Sequence, residues 1–454
     1  MPTPRIYTAK YPSTVIRCDE SFWGFLLRLN IDDTLPDKVI LQEHERPERF
    51  LTYSSTAKEV GLGAAALRDV LGLSPANQPS APPLDLSQGD NRRFPAVICF
   101  SSGTSGLPKA AVISHHNLIA YLLVARATDP TMANSEQREV FYAPLGHIYG
   151  VFMSSLPLFS GGYVRLMRDY SLHKYIRAAT EVKATTLRVV PPTVVAMVKD
   201  PFVRQQDLTS VRTISCAGAV LAQDIISEVR NMMDKVEVVQ GYGMTEGSIT
   251  TLKRFAARRK LGSVGRLSAN VQVRIVDDEL EDVPEGTPGE IMFSSPTIFM
   301  GYKNNEDANA EAFPFKDGWM RTGDVGRLDS DGYLWLTDRK KDLIKYKGNQ
   351  VSPAELESVL LSHPQVTEAG VCATWDRSQE TEVPVGYVNF QSTVAVADHE
   401  RLLKEVHDYV NERVSRAKRL RGGVFYLETF PRNHSGKLLR KDLPARRGIL
   451  RAKL

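Results

Sequence analysis

Nine consecutive residues, Ser101-Ser102-Gly103-Thr104-Ser105-Gly106-Leu107-Pro108-Lys109, combine four hydroxyls, two glycines and a terminal cation. Glycines let a backbone turn tightly and aim amide N–H groups at an anion, hydroxyls add donors, and a lysine supplies positive charge for phosphate. The run is not a Walker A loop, which needs a second glycine five positions after the first and then Lys-Ser/Thr. Pro108 stands at that position. Read alone, the stretch also fits a Ser/Gly-rich surface loop.

Four further segments follow in order: Gln240-Gly241-Tyr242-Gly243-Met244-Thr245-Glu246, Arg321-Thr322-Gly323-Asp324, Asp338-Arg339-Lys340-Lys341-Asp342-Leu343-Ile344-Lys345-Tyr346-Lys347-Gly348, and Asn433-His434-Ser435-Gly436-Lys437. Each has an ordinary reading by itself. Glu246 fits a surface glutamate, Asp324 a turn or cap aspartate, the 338–348 cluster a solvated charge run, and Lys437 a solvated lysine. Together and in this order they resemble the adenylate-forming superfamily of acyl-CoA synthetases, luciferases and peptide-synthetase adenylation domains. The resemblance runs from about residue 94 to 444. It is closest to the 4-coumarate–CoA ligase branch, through His147-Ile148-Tyr149 and Lys345-Tyr346-Lys347-Gly348-Asn349-Gln350-Val351.

The resemblance implies an ATP-dependent carboxylic acid–CoA ligase working through an acyl-adenylate, with ATP, Mg2+ and CoA as its small-molecule requirements. A carboxylate is a poor electrophile, and adenylation gives it a good leaving group. Positioning and charge neutralisation are what such chemistry asks of a protein. By the same resemblance Ser101, Ser102, Gly103, Thr104, Ser105, Gly106 and Lys109 would hold the departing phosphates. Gln240, Gly241 and Tyr242 would lie along the adenine, and Thr245 would bond the α-phosphate. Glu246 would bind the metal, a hard cation that prefers oxygen. Asp324 would accept both ribose hydroxyls, and Arg339, Lys341 and Lys345 would lie on the nucleotide side. Lys437 would be the catalytic cation, with Thr245, Glu246 and His147 beside it. His147, Tyr149, Ala217, Gly218 and Gly241 would face the acid. Lys345, Lys347 and Gly348 would line the thiol side after a rotation hinged at Lys341. A free-standing enzyme that loads a carrier protein, a luciferase-like oxidase, and an inactive nucleotide-binding relic are the alternatives.

Several positions depart from the pattern. Ala110 replaces the glycine after the loop lysine, Gly146 replaces a bulky residue before His147, and Gln223 stands where the hydroxycinnamate branch tends to have lysine. Leu73 runs straight into the proline-rich 74–93 stretch, so roughly 80–100 residues of a first subdomain are absent relative to the family, about a small domain's worth of core. Apolar faces that such a block covers are expected to be exposed.

Strand and helix signals place these motifs. Ala96 to Phe100 predicts a buried strand, His115 to Thr128 a helix, and alternation to about residue 250 an α/β fold. Val271 to Trp335 predicts a small β-rich subdomain. Ser352, Pro353 and Glu355 predict a helix start with a capping box. Strands at Val366–Thr374 and Val385–Phe390 and a helix carrying Leu402, Leu403, Val406, Val410 and Val414 complete a mobile α+β C-terminal domain. The expected division is 1–338, shortened between 73 and 94, and 339–454. A net charge of +4, from 57 basic and 53 acidic residues, is too even for a nucleic-acid binder. No apolar run predicts a membrane span. Cys18, Cys99, Cys216 and Cys372 lack metal or redox spacing and read as reduced thiols. The final Ala452-Lys453-Leu454 resembles the peroxisomal Ser-Lys-Leu class, implying an import receptor as partner.

Overall fold

The computed structural model describes the chain except residues 1–3, 29–31, 57, 60–84, 102–107, 252, 316, 392, 434–436 and 449–454. Most of the proline-rich 74–93 stretch, the motif residues Ser102, Gly103, Thr104, Ser105 and Gly106, residues His434–Gly436 and the terminal tripeptide therefore lie outside the described residues.

The α/β expectation holds for the larger part of the chain. A ten-stranded sheet runs in the spatial order Tyr7–Thr8, Gln272–Val276, Gly289–Ser294, Met320–Leu328, Tyr333–Arg339, Gly265–Leu267, Gly247–Thr251, Glu237–Met244, Thr213–Cys216, Thr186–Val189. The 271–335 segment is thus not closed on itself. Its strands continue into the α/β layer through Gly265–Leu267 and Gly247–Thr251. The reason lies in Glu237–Met244, which pairs parallel with Thr213–Cys216 on one edge and antiparallel with Gly247–Thr251 on the other. Ligands in open α/β sheets gather where strand direction and connection change, and this strand carries one of the candidate motifs.

Pro95–Ser101 and Lys109–Ser114 form an antiparallel pair that brackets the 102–107 loop, with Gly301–Tyr302 on the far side of the second strand. Ser114 then caps the His115–Thr128 helix in a full capping box with Asn117. The first strand is only partly buried. Cys99 is 2% exposed while Ile98 is 44% and Phe100 66% exposed, and Phe94 beside them is exposed as well. The Ile148–Ser160 helix starts at His147 and stops at Gly161, whose φ of +70° is left-handed. A Cβ there would lie 1.7 Å from Thr34 Oγ1, so only glycine fits.

The C-terminal part has its own core of Leu356, Leu360, Val371, Val388, Val406 and Val410. It packs the Pro353–Leu361 and His399–Arg413 helices on a sheet of Val366–Asp376, Thr381–Phe390 and Val424–Tyr426. The predicted capping box is only half formed. Ser352 accepts from Glu355 N, but the Glu355 carboxylate goes to Lys418 Nζ at 2.7 Å. Ser352 Oγ donates instead to Asp338 Oδ2 at 2.7 Å, which ties the helix start to the end of the large sheet. All four cysteines are free, three of them buried, and among the described residues no helix is long and apolar enough to cross a membrane.

Candidate active site

Three walls meet around the end of the Glu237–Met244 strand. The first is built by its turn into Gly247–Thr251, where the register shifts between Tyr242 and Gly243. A Cβ on Gly243 would press within 3.1 Å of Gly247 O, so the tight return favours glycine. The turn buries Thr245 and Glu246 to 7% and 5% exposure. Tyr242 Oη donates to Asp324 Oδ2 at 2.6 Å, and Arg339 Nε lies 3.3 Å from Asp324 Oδ1. Burial, then the Asp324 charge, pushes the Tyr242 phenol well above its ordinary pKa, so it stays a donor. Thr322 Oγ1 donates to Ile291 O and accepts from Asp324 N, which fixes the aspartate's backbone. A carboxylate offers about four lone-pair sites, and these two contacts leave acceptor capacity for hydroxyls. Gln240, 2% exposed, spends its side chain on Leu221 N and Ser263 O. What it presents to a ligand is backbone.

The second wall is anionic and cationic together. Tyr302 Oη donates to Glu246 Oε1 at 2.7 Å. Burial first, and then Glu246, raise the Tyr302 phenol above its ordinary range. Lys109 Nζ sits 5.0 Å above the Tyr302 ring and 3.9 Å from Glu311. Ser101 ends the strand that enters the loop. Lys341 is exposed, with Arg339, Asp342, Glu311 and Lys109 as its charged neighbours. Among the described residues no cluster of three His, Cys, Asp or Glu stands ready for a metal. Magnesium does not require one, since it commonly takes one or two carboxylates and completes its shell with phosphate oxygens and water. Glu246 as the single carboxylate fits that donor set.

The third wall is built around the start of the Ile148–Ser160 helix. His147 caps its helix by accepting Tyr149 N at Nδ1, 3.2 Å away. Burial lowers the imidazole pKa, with Glu246 partly opposing, so His147 is neutral at pH 7. Tyr149 packs edge-on to Phe141 at 5.6 Å. Burial raises its phenol pKa, and Arg188, itself paired with Glu139 at 2.7 Å, opposes that rise. Ala217 and the exposed Gly218, at φ +92°, follow the Thr213–Cys216 strand. Gly241 is half-buried. Around Gly146 nothing lies within 4 Å of where a Cβ would stand, so the substitution for a bulky residue leaves open space.

The C-terminal part closes the site. Lys437 is half-buried, and Asn433 frames its loop: Lys437 N donates to Asn433 Oδ1 at 2.8 Å, and Asn433 N donates to Lys437 O at 2.9 Å. Its ammonium pKa falls to about 8, first through burial and then through Arg339 and Arg440, with Asp324 and Asp342 opposing. Lys437 thus shares one electrostatic neighbourhood with the Tyr242–Asp324–Arg339 group. Arg440 is held by Glu357 at 2.7 Å and reaches Asp342 at 3.2 Å and Asp338 at 3.5 Å. Lys345, Lys347 and Gly348 are exposed on the Ile344–Tyr346/Asn349–Val351 ribbon, at whose turn Lys347 (φ 45°) and Gly348 (φ 79°) are left-handed. Lys345 N donates to Glu382, and the Lys345 charge acts on Asp278, so this lysine is not gathered into the Asp324–Lys437 group.

Two participants escape sequence reasoning. Tyr302 arrives on a two-residue strand with no periodicity, and only its pairing with Lys109–Ser114 brings it to Glu246. Glu290, 3% exposed, binds Arg321 at 2.6 Å and Lys340 at 2.9 Å and anchors the two motifs those residues belong to. Alternating polar residues on paired strands are the only signal for it.

Sequence comparison matches residues 80–303 to the AMP-binding enzyme model and residues 355–437 to the AMP-binding enzyme C-terminal domain. Among similar curated proteins, 4-coumarate–CoA ligase 2 of Solanum tuberosum is 36% identical over 384 residues, 80% of this chain and 68% of that one. The peroxisomal OPC-8:0-CoA ligase 1 of Arabidopsis thaliana is 36% identical over 357 residues, and the chain spans only 63% of its length. Among solved structures, the O-succinylbenzoate coenzyme A synthetase of Bacillus subtilis, in complex with ATP and magnesium ion, superposes with a TM-score of 0.65 at 31% identity, covering 76% of this chain and 69% of that one.

Proposed function

The chain belongs to the AMP-binding enzyme family, and on that premise we propose that it is an ATP-dependent, AMP-forming carboxylic acid–CoA ligase. In the first half-reaction a carboxylate oxygen attacks the α-phosphorus of ATP in line. A new P–O bond forms, the bridging P–O bond breaks, and pyrophosphate leaves with its electron pair. In the second, the thiolate of coenzyme A attacks the acyl carbon and AMP departs.

The residue roles are those that the resemblance implies, and the placement of the described residues supports them. The Ser101–Gly106 loop and Lys109 receive the departing phosphates. Gln240 and Gly241 border the adenosine through backbone, and Tyr242 holds Asp324 toward the ribose with Arg339 beside it. Thr245 bonds the α-phosphate. Glu246, oriented by Tyr302, is the carboxylate for a magnesium ion. Bound with the nucleotide, that ion would neutralise charge on the phosphates. Lys437 neutralises the carboxylate and α-phosphate as they approach, and an ammonium in a poorly hydrated site stabilises such charge far more than one in water. Lys341, beside Lys109 and Arg339, marks the hinge. His147, Tyr149, Ala217, Gly218 and Gly241 bound the acid, with the open space at Gly146 admitting a broad one. Lys345, Lys347 and Gly348 serve the thiol.

The observation that carries this reading is that Lys437, from the C-terminal part, lies within electrostatic reach of the paired Asp324 and Arg339 of the large sheet. Acid-dependent ATP–pyrophosphate exchange across a panel of carboxylic acids tests it, followed by CoA thioester formation from each acid that supports exchange. Exchange with no acid in the panel sinks the reading. Thioester formation on a carrier-protein pantetheine but not on CoA converts it to a carrier-loading enzyme. We further assign the chain to peroxisomes through Ala452-Lys453-Leu454. The name of the Arabidopsis relative supports this. A fluorescent fusion with a free C-terminus should colocalise with a peroxisomal marker and disperse when Leu454 is deleted. A diffuse signal from the intact tail would refute it.

A further inference from the structure

Away from the hinge, the two parts of the chain also meet at Lys199. This residue ends the Pro191–Lys199 helix of the large domain. Its Nζ donates to Leu361 O at 3.2 Å, to His363 O at 3.4 Å and, in a closer contact, to Val366 O. These carbonyls span the end of the Pro353–Leu361 helix, the turn after it and the start of the Val366–Asp376 strand of the C-terminal domain. The last carbonyls of a helix lack intrahelical donors and carry partial negative charge. An ammonium has three donor protons, and here three acceptors stand in range. Lys199 is half-buried, and Leu361 packs against the large domain's core beside it.

We propose that Lys199 is a positioning residue for adenylation: it latches the C-terminal domain in the orientation that sets Lys437 beside Asp324. This rests on the ligase reading of the site. The geometry leaves little freedom. Leu360 and Val366 belong to the same buried cluster as Val371 and Val388, so the three carbonyls move as one body with the sheet. A rotation about Lys341 that swings the C-terminal sheet away from the large domain therefore withdraws all three acceptors from Lys199 together. The ammonium returns to water and the helix end gains other donors. Lys199 thus contributes to one orientation and not the other, which is the differential interaction a shift of population requires.

The test uses the full chain carrying Cys18→Ser, since the other three cysteines are buried. Spin labels go on cysteines introduced at the exposed Ser227 and Lys404, one in each domain. With Lys199 intact, the pulsed dipolar distance distribution should be dominated by one distance. Lys199→Met should add a second population, and Lys199→Arg, which keeps a cationic donor, should restore the first. In parallel, Lys199→Met should lower kcat of acid-dependent pyrophosphate exchange about tenfold, as a shift of that size in orientation implies, with little change in the KM for ATP. Attack of CoA on supplied acyl-adenylate should stay within about twofold. Unchanged distance distributions overturn the inference, and so does equal loss in both half-reactions, which marks Lys199 as merely structural. If no acid supports exchange even in the unmutated enzyme, the ligase reading fails, while the distance distributions still decide the latch.

Discussion

Replacing Lys437 tests the chemistry most directly, because the structure sets both the size and the pH dependence of the effect. With a pKa near 8, about nine in ten Lys437 side chains are ammonium at pH 7 and about one in ten at pH 9. Adenylation needs the ammonium, so kcat/KM for ATP, which reports the free enzyme, should fall about tenfold per pH unit above 8. The kcat limb should lie at higher pH, because bound ATP brings negative charge that favours the protonated form. Lys437→Ala should cut acid-dependent pyrophosphate exchange by about a hundredfold or more, the scale of losing a charged transition-state contact. Reaction of supplied acyl-adenylate with CoA should survive. Lys437→Arg keeps a charge that does not titrate below about pH 12, so its residual exchange should show no alkaline limb. Stability should move the opposite way. A lysine pKa lowered in the fold disfavours folding below the folded value near 8, and the penalty fades as pH rises toward the unfolded value. Lys437→Met should therefore stabilise the protein at pH 7 by on the order of 1–3 kcal/mol, seen as a higher melting temperature. A kcat/KM profile flat to pH 10, or equal loss in both half-reactions, would falsify the assigned role.

Three other substitutions separate the walls of the site. Tyr302→Phe removes the donor to Glu246 and should lower exchange by about tenfold or more, the scale of a hydrogen bond to a charged group, with the loss greatest at low magnesium. Loss independent of magnesium concentration would detach Tyr302 from metal binding. Glu290→Gln removes the buried carboxylate shared by Arg321 and Lys340, and since Lys340 keeps Asp278 and both cations reach solvent, it should cost about 1–3 kcal/mol in denaturant titration. Burial alone raises the Glu290 pKa, but Arg321 and Lys340 bring it below the ordinary value, so its contribution holds above the unfolded value and is lost as pH falls through the folded one. A melting temperature in Glu290→Gln that tracks the unmutated protein through that acid window contradicts this. Lys345→Ala should slow CoA attack while sparing pyrophosphate exchange, measured as separate half-reactions. The reverse pattern would return Lys345 to the nucleotide side.

Much of this was legible in the chain because local signals agree with the final packing. The helix expected from His115 to Thr128 forms, Pro353 follows its Ser352 cap, and the strands expected at 366–374 and 385–390 become one antiparallel pair. Motif order also pointed to a shared neighbourhood for Asp324 and Lys437, which lie far apart in sequence but share one electrostatic environment in the fold. What was not legible depends on long-range pairing. Tyr302 reaches Glu246 only through a two-residue strand, and Tyr242 reveals its bond to Asp324 only once Met320–Leu328 lies across the sheet. Glu355 fits a capping box by spacing, yet Lys418, distant in sequence, offers its carboxylate a charged partner. The supposedly separate β-rich unit joins the main sheet because one strand accepts neighbours of both directions, which periodicity cannot encode.

The exposed side chains of Pro95–Ser101 bear on how the protein behaves in concentrated solution. Among the described residues this strand is the outermost of its three, with Ile98 and Phe100 turned to water. An apolar strand with a free edge is a template for another strand to add to. Because the strand ends at Ser101, where the candidate phosphate motif begins, a visiting strand and a bound nucleotide would compete for the same end of it. Colloidal stability and nucleotide occupancy are then coupled, so static light scattering at rising protein concentration should begin later with ATP present than without it.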